Sequence, residues 1–76
     1  MNRPPSDHHQ IREIGSAILR ARYRKKISRN ALSRMTGINK TTIGRIEYGC
    51  NAEMFSVLRL CEELGLKVHV EEGFSR

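Results

Sequence analysis

The stretch that most restricts what this chain can fold into is Thr36 to Gly49, TGINKTTIGRIEYG. Gly37 interrupts one helix. Asn39 is placed to cap the next, its side-chain oxygen accepting the free N–H of Thr41 or Thr42. Past that cap the spacing gives a helix with two unlike faces. Ile43 and Ile46 point one way, while Thr41, Gly44, Arg45 and Tyr48 recur at i, i+3, i+4, i+7 and point the other. This outer face carries no large aliphatic side chain, and Lys40 stands in its first turn. A small, polar, basic helix face just after a tight turn has the shape and donors that a DNA major groove accepts.

At 76 residues the chain is one domain, near the lower limit for a self-sufficient core. A helical bundle suffices at that size, and oligomerisation helps. Aromatic residues are few and Trp is absent, which argues against a large enzyme-style pocket. The net charge of +6 is uneven: residues 1–50 hold eleven Lys/Arg against three Asp/Glu, residues 51–76 three against five. A basic front half suggests a polyanion partner, with plain solubility charge as the alternative. No apolar run is long enough to span a membrane, and residues 1–10 lack the apolar core of a secretory signal, so a cytoplasmic protein with reduced thiols is expected. Cys61 falls on an apolar helix face and Cys50 in a turn; with His8, His9 and His69 they form no metal-binding pattern, so neither a metal nor a cofactor is expected. No enzyme is expected either, because the chain shows no nucleophile–base pair, no phosphate-cradling glycine loop and no carboxylates placed across a pocket.

Along the chain, Pro4-Pro5 marks a loose arm over residues 1–6, either idle or carrying Arg3 to a DNA groove. Ser6 or Asp7 caps a first helix running to about Lys25, with Pro5 just outside it. Ile11, Ile14, Ile18 and Ala21 keep its helical period. Arg22 follows Ile14 and Ile18 at i, i+4, i+8, so a charge ends an apolar stripe. Glu47 does the same after Ile43 on the helix described first. Either the two charges meet, since burying one alone is costly, or both snorkel to solvent. The densest basic run, Arg22 to Arg29, flanks the outer face of that helix, which suits phosphate contacts as well as simple solvation. Ser28 caps a second helix to about Thr36, with Leu32 and Met35 inward and Arg29 and Arg34 outward. Asn51 is a candidate cap for a fourth helix, starting at Ala52 or Glu53 and ending at Leu64 before Gly65. Met54, Val57, Leu58, Cys61 and Leu64 make its apolar face, with Phe55 and Leu60 to the sides. Beyond it Leu66, Val68 and Val70 alternate with polar residues, a period of two that reads as a strand over 66–72 or else as a frayed tail, with 73–76 as the terminus. A lone strand needs a partner, and the same strand of a second copy about a two-fold axis supplies one.

Ile27 to Gly49, ISRNALSRMTGINKTTIGRIEYG, resembles without a gap the helix-turn-helix of the phage repressor and Cro family, the XRE family. The resemblance covers roughly Ile14 to Val70; its marks are Arg22, Leu32, Gly37, Ile43, Ile46, Glu47, Gly49 and the CEELG that closes the fourth helix. It implies an all-α, four-helix lambda-repressor-like domain over residues 7–65, binding operator DNA as a homodimer, and an Arg22–Glu47 ion pair. A terminal strand that pairs across the dimer, through Leu66, Val68 and Val70, resembles the HipB-like antitoxin branch. That branch implies the alternative function: an antitoxin that neutralises a toxin protein and represses its own operon.

Matched by position, the resemblance makes Lys40, Thr41 and Arg45 base readers. It makes Arg29, Thr42, Tyr48 and Asn51 phosphate contacts, with end-of-helix packing the alternative for Tyr48 and a plain surface position for Thr42. The chain departs from the family pattern at four positions. Arg29 replaces a common Gln, keeping the phosphate contact but not the same bracing of the recognition helix. Ser33 replaces a small Ala. Lys26 stands where Gly is common, which suggests a different turn. Gly44 lies where a longer side chain often reads a base; it lets the helix backbone approach DNA at ~0.8–1 kcal/mol against Ala.

Overall fold

The structure, a computed structural model, describes residues 5–50 and 53–68, with side chains described from residue 10 onward. Four helices follow one another: α1 (Pro5–Arg24), α2 (Arg29–Thr36), α3 (Lys40–Glu47) and α4 (Met54–Leu64). The fold is all-α, and no strand occurs among the described residues. None of these helices is long and apolar enough to cross a membrane. α1 packs on α3 and α4, and α2 packs on the same two, so α3 and α4 share one core.

That core is Ile18, Ala21, Leu32, Ile38, Ile43, Ile46, Leu60, Cys61 and Leu64, with Ile14, Ile27, Val57 and Leu66 packed around it. Five large side chains, Ile18, Leu32, Ile43, Ile46 and Leu60, are fully buried. Each contributes roughly 1.5–3 kcal/mol relative to exposure. Burial raises the Cys61 thiol above its ordinary pKa, which keeps it neutral and unreactive, whereas Cys50 is exposed.

Several boundaries and faces differ from the sequence reading. α1 starts at Pro5, so residues 5 and 6 belong to the helix rather than to an arm of residues 1–6. Proline suits that place because first-turn N–H groups have no intrahelical partner anyway. On α2 Leu32 is buried but Met35 is exposed, and Thr36 takes the inward place one turn after Leu32. α4 starts at Met54 with Glu53 as its N-cap; Glu53 is therefore not in the first turn, and its carboxylate accepts from the Ser56 hydroxyl at 3.4 Å. The buried face of α4 is turned toward Ser56, Leu60, Cys61 and Leu64; Met54, Phe55 and Leu58 are exposed. Leu60, read as lateral, is a central core residue because both α1 and α2 close over that side of α4.

The C-terminal strand reading falls only partly on described residues. Residues 66–68 are irregular, and Val70 lies outside the described set. Leu66 is drawn inward by a helix-ending turn in which its N–H donates to the Cys61 carbonyl (2.8 Å) and that of Gly65 to the Glu62 carbonyl (3.2 Å). Val68 is exposed.

The same two-bond turn ends α1, with Lys26 N–H donating to Tyr23 and Ile27 N–H to Arg22, each at 3.0 Å. Its left-handed residue is Lys26, φ 58°, so the turn that substitution of a Gly suggested would differ keeps the glycine geometry on a lysine. A side chain in that conformation costs about 1–2 kcal/mol. Lys26→Gly, at an exposed position, is therefore expected to stabilise the fold by about 1 kcal/mol after the entropy of glycine is counted. Thermal melting should rise by roughly 4–8 °C; an unchanged or lower midpoint would show that the lysine is unstrained there.

Candidate nucleic-acid interface

The connection between α2 and α3 is Gly37-Ile38-Asn39. Gly37 ends α2 at φ 78°, its N–H donating to the Ser33 carbonyl at 2.8 Å. The Thr36 hydroxyl donates to the Leu32 carbonyl (2.8 Å) and accepts from the Ile38 N–H (3.2 Å). Ile38 then enters the core, which pins the turn between its own hydrogen bonds and the apolar interior. The starts of both α2 and α3 are capped: Ser28 Oγ accepts from Ala31 N–H at 3.0 Å, Asn39 Oδ1 from Thr41 N–H at 2.7 Å. These local devices fix the start of α3 and hence the direction of its outer face.

Behind α3 the two charges that end apolar stripes meet. Arg22 Nε donates to Glu47 Oε2 at 2.7 Å and Arg22 Nη2 to Oε1 at 3.2 Å, while Nη1 donates to the Ile27 carbonyl at 3.1 Å. Arg22 is 6% exposed and Glu47 5%. A third residue joins them. Arg29 crosses from α2 and its Nε donates to Glu47 Oε1 at 2.9 Å. The charge of Glu47 draws the guanidinium across, so Arg29 ties α2 to the end of α3. The Arg29 guanidinium also lies over the Tyr48 ring, 5.7 Å from its centroid. Glu47 first and Tyr48 second push the Arg29 pKa further above its ordinary value, so it stays charged at any pH the fold survives.

On the outer side Lys40, Thr41 and Arg45 are all exposed, and with Tyr48 they border a shallow hollow between α3 and the start of α2. Ser28, Arg29 and Asn30 form the α2 rim of that hollow. Asn30 and Ser28 were not foreseen as part of it; their place in the first turn beside the outer face is the signal that would have found them. Thr42 is half-buried and does not line the hollow, and Asn51 lies outside the described residues. Gly44, read as an open position on the outer face, is buried, because the Arg29 guanidinium lies over it. The basic run thus divides. Arg22 and Arg29 converge on one carboxylate, leaving an excess positive charge at the hollow, while Arg24, Lys25 and Lys26 stay exposed at the end of α1.

No known family model matches the chain, and a search of curated proteins finds no significant relative.

Proposed function

We propose that this chain is a sequence-specific DNA-binding transcriptional regulator, a repressor of the phage repressor and Cro type acting in the cytoplasm. In this reading α2 and α3 are its helix-turn-helix, and two copies bind an inverted-repeat operator. The observation that carries the reading is the α3 outer face: Lys40, Thr41 and Arg45 exposed side by side on a short helix that is capped in front and tied from behind to α1 and α2. Arg45 suits bidentate pairing with guanine, Lys40 a guanine or a phosphate, and Thr41 a thymine methyl. Arg29, Thr42, Tyr48 and Asn51 take phosphates. Half-sites lie about 34 Å apart along the duplex.

Selection of bound duplexes from a random pool tests the reading. The wild type should enrich an inverted repeat, and its affinity should fall by ~10³ or more between about 50 and 200 mM salt if six or more phosphates are neutralised. Arg45→Ala should relax the preference at one base pair per half-site, a loss of ~1–3 kcal/mol in discrimination, with the other positions kept. A wild-type chain that enriches no sequence would end the proposal.

A second reading, an antitoxin that neutralises a protein partner, draws on another observation. Met54, Phe55, Leu58 and Val68 are exposed apolar residues on and just after α4. A single foreign protein co-purifying at fixed stoichiometry would favour it. The homodimer can instead use this region together with the strand proposed from Leu66 through Val70. Truncation after Val68 spares the turn that holds Leu66 and is expected to weaken self-association if the strand pairs. An unchanged dimer in sedimentation would move the interface to α4.

A further inference from the structure

Gly44 sits in the middle of the stripe Thr41, Gly44, Arg45, Tyr48. It gives that face a notch where every neighbour carries a side chain. The notch is filled from another helix. The three atoms nearest to a Cβ built on Gly44 all belong to Arg29: Nη1 at 3.5 Å, Cζ at 3.6 Å and Nε at 3.8 Å. Arg29 Nε donates to Glu47 Oε1, and the guanidinium lies over the ring of Tyr48, so two neighbours restrict the group. Arg29 lines the hollow together with Thr41 and Arg45, and its side chain is 37% exposed. A guanidinium fixed in that way presents two parallel N–H donors, the arrangement that fits guanine O6 and N7.

We propose that Arg29 is a base-reading residue lent by α2 to the outer face of α3, that it selects a guanine, and that Gly44 is glycine in order to admit it. The proposal rests on the DNA-binding reading above and changes the part Arg29 plays in it. A phosphate contact would hold every sequence alike. A guanidinium that covers Gly44 and shares one hollow with Thr41 and Arg45 is presented to the same ligand as those two residues, which in the proposed reading is the base edge. Glu47 thereby acquires two tasks, closing the α1–α3 contact through Arg22 and orienting a reader through Arg29. Gly44 is a positioning residue, since any large side chain there occupies the space of the guanidinium.

The test is selection from the same random duplex pool with the full chain and four variants, each first checked for a cooperative melt. Arg29→Gln should abolish the preference for guanine at one base pair per half-site, a loss of about 5- to 150-fold in discrimination, and leave the Arg45 position intact. Arg29→Lys should lose most of the same preference while keeping its charge. Gly44→Leu, which leaves Arg29 in the sequence but displaces it, should lose the same base pair; Gly44→Ala, whose Cβ makes ordinary contact, should keep it. If the Arg29 variants bind every duplex more weakly with an unchanged motif, Arg29 holds a phosphate and the proposal is wrong while the regulator reading stands. If Gly44→Leu keeps the motif of the wild type, the notch has no role and the proposal is likewise wrong. If the wild type itself enriches no motif, both fall together.

Discussion

Replacing Glu47 by alanine is expected to destabilise the domain by about 3–5 kcal/mol. The carboxylate holds two guanidinium groups, and the two lose very different things when it goes. Arg22 is almost wholly enclosed and would keep only its bond to the Ile27 carbonyl, with Nε and Nη2 left without partners. Leaving one buried charge in that state costs about 3–5 kcal/mol. A chain of this length has roughly 4–11 kcal/mol of total stability at 0.05–0.15 kcal/mol per residue, so the loss takes from about a quarter of the margin to all of it. Arg29 is half-exposed and can turn to water, so cutting its bond alone, as in Arg29→Gln, should cost no more than about 1 kcal/mol. Urea unfolding of Glu47→Ala, Arg29→Gln and the double variant Glu47→Ala/Arg22→Met separates the two contributions. The double variant should recover part of the loss, because it removes the stranded charge along with its partner. Equal and small effects for Glu47→Ala and Arg29→Gln would mean that Arg22 is solvated and that the network does not hold α3.

The contrast between Arg22 and Arg29 marks where sequence reasoning succeeds. Helix caps are local: Ser28 and Asn39 act within three residues of themselves, and their sequence signal is complete. The inward face of α3 is equally legible, since Ile43 and Ile46 are the only apolar residues on it and the period leaves no choice. Arg22 and Glu47 announce themselves as charges at the ends of apolar stripes, although spacing alone leaves open whether they meet. Arg29 announces nothing. Its path depends on how far α2 stands from α3 and on the absence of a side chain at Gly44, and both are tertiary facts.

α4 failed for a different reason. Met54, Phe55, Val57, Leu58, Leu60, Cys61 and Leu64 leave few polar positions to mark an outer face, so periodicity admits more than one inward direction. Neighbours decide among them, and they choose Leu60 over Leu58. The surplus apolar residues stay on the surface, which is why α4 rather than α3 carries the exposed patch that a second chain or another protein can cover. The basic face and the apolar face therefore belong to different helices, and no α4 residue lines the hollow at α3.

Two glycines inside helices carry opposite expectations for the same change, and the larger effect belongs to the one that shows no sign of itself in the sequence. Gly15 lies in the middle of α1, where glycine is disfavoured by about 1 kcal/mol against alanine. A Cβ at that position would collide with the Ile46 carbonyl oxygen and come within 3.0 Å of the Glu47 carbonyl oxygen. Both are backbone atoms of α3 and cannot turn aside as a side chain end can. Gly15→Ala must therefore push α1 and α3 apart along the seam that Arg22 and Glu47 close. Overpacking of this kind costs about 1–3 kcal/mol and sometimes more; against backbone the upper end is expected, so the net loss after the helix-propensity gain is about 2–3 kcal/mol. For Gly44→Ala the nearest atoms are those of the movable Arg29 guanidinium at ordinary contact distance, and the change should gain up to about 1 kcal/mol. Chemical denaturation should thus place Gly15→Ala below the wild type and Gly44→Ala level with it or above. The displacement has a second signature. Because α3 is the element moved, Gly15→Ala should weaken binding to the selected duplex even under conditions where the variant is fully folded, by more than its effect on random duplex. A Gly15→Ala chain as stable as the wild type would show that α1 and α3 do not approach this closely, leaving the Arg22–Glu47–Arg29 contacts alone to mount α3 from behind.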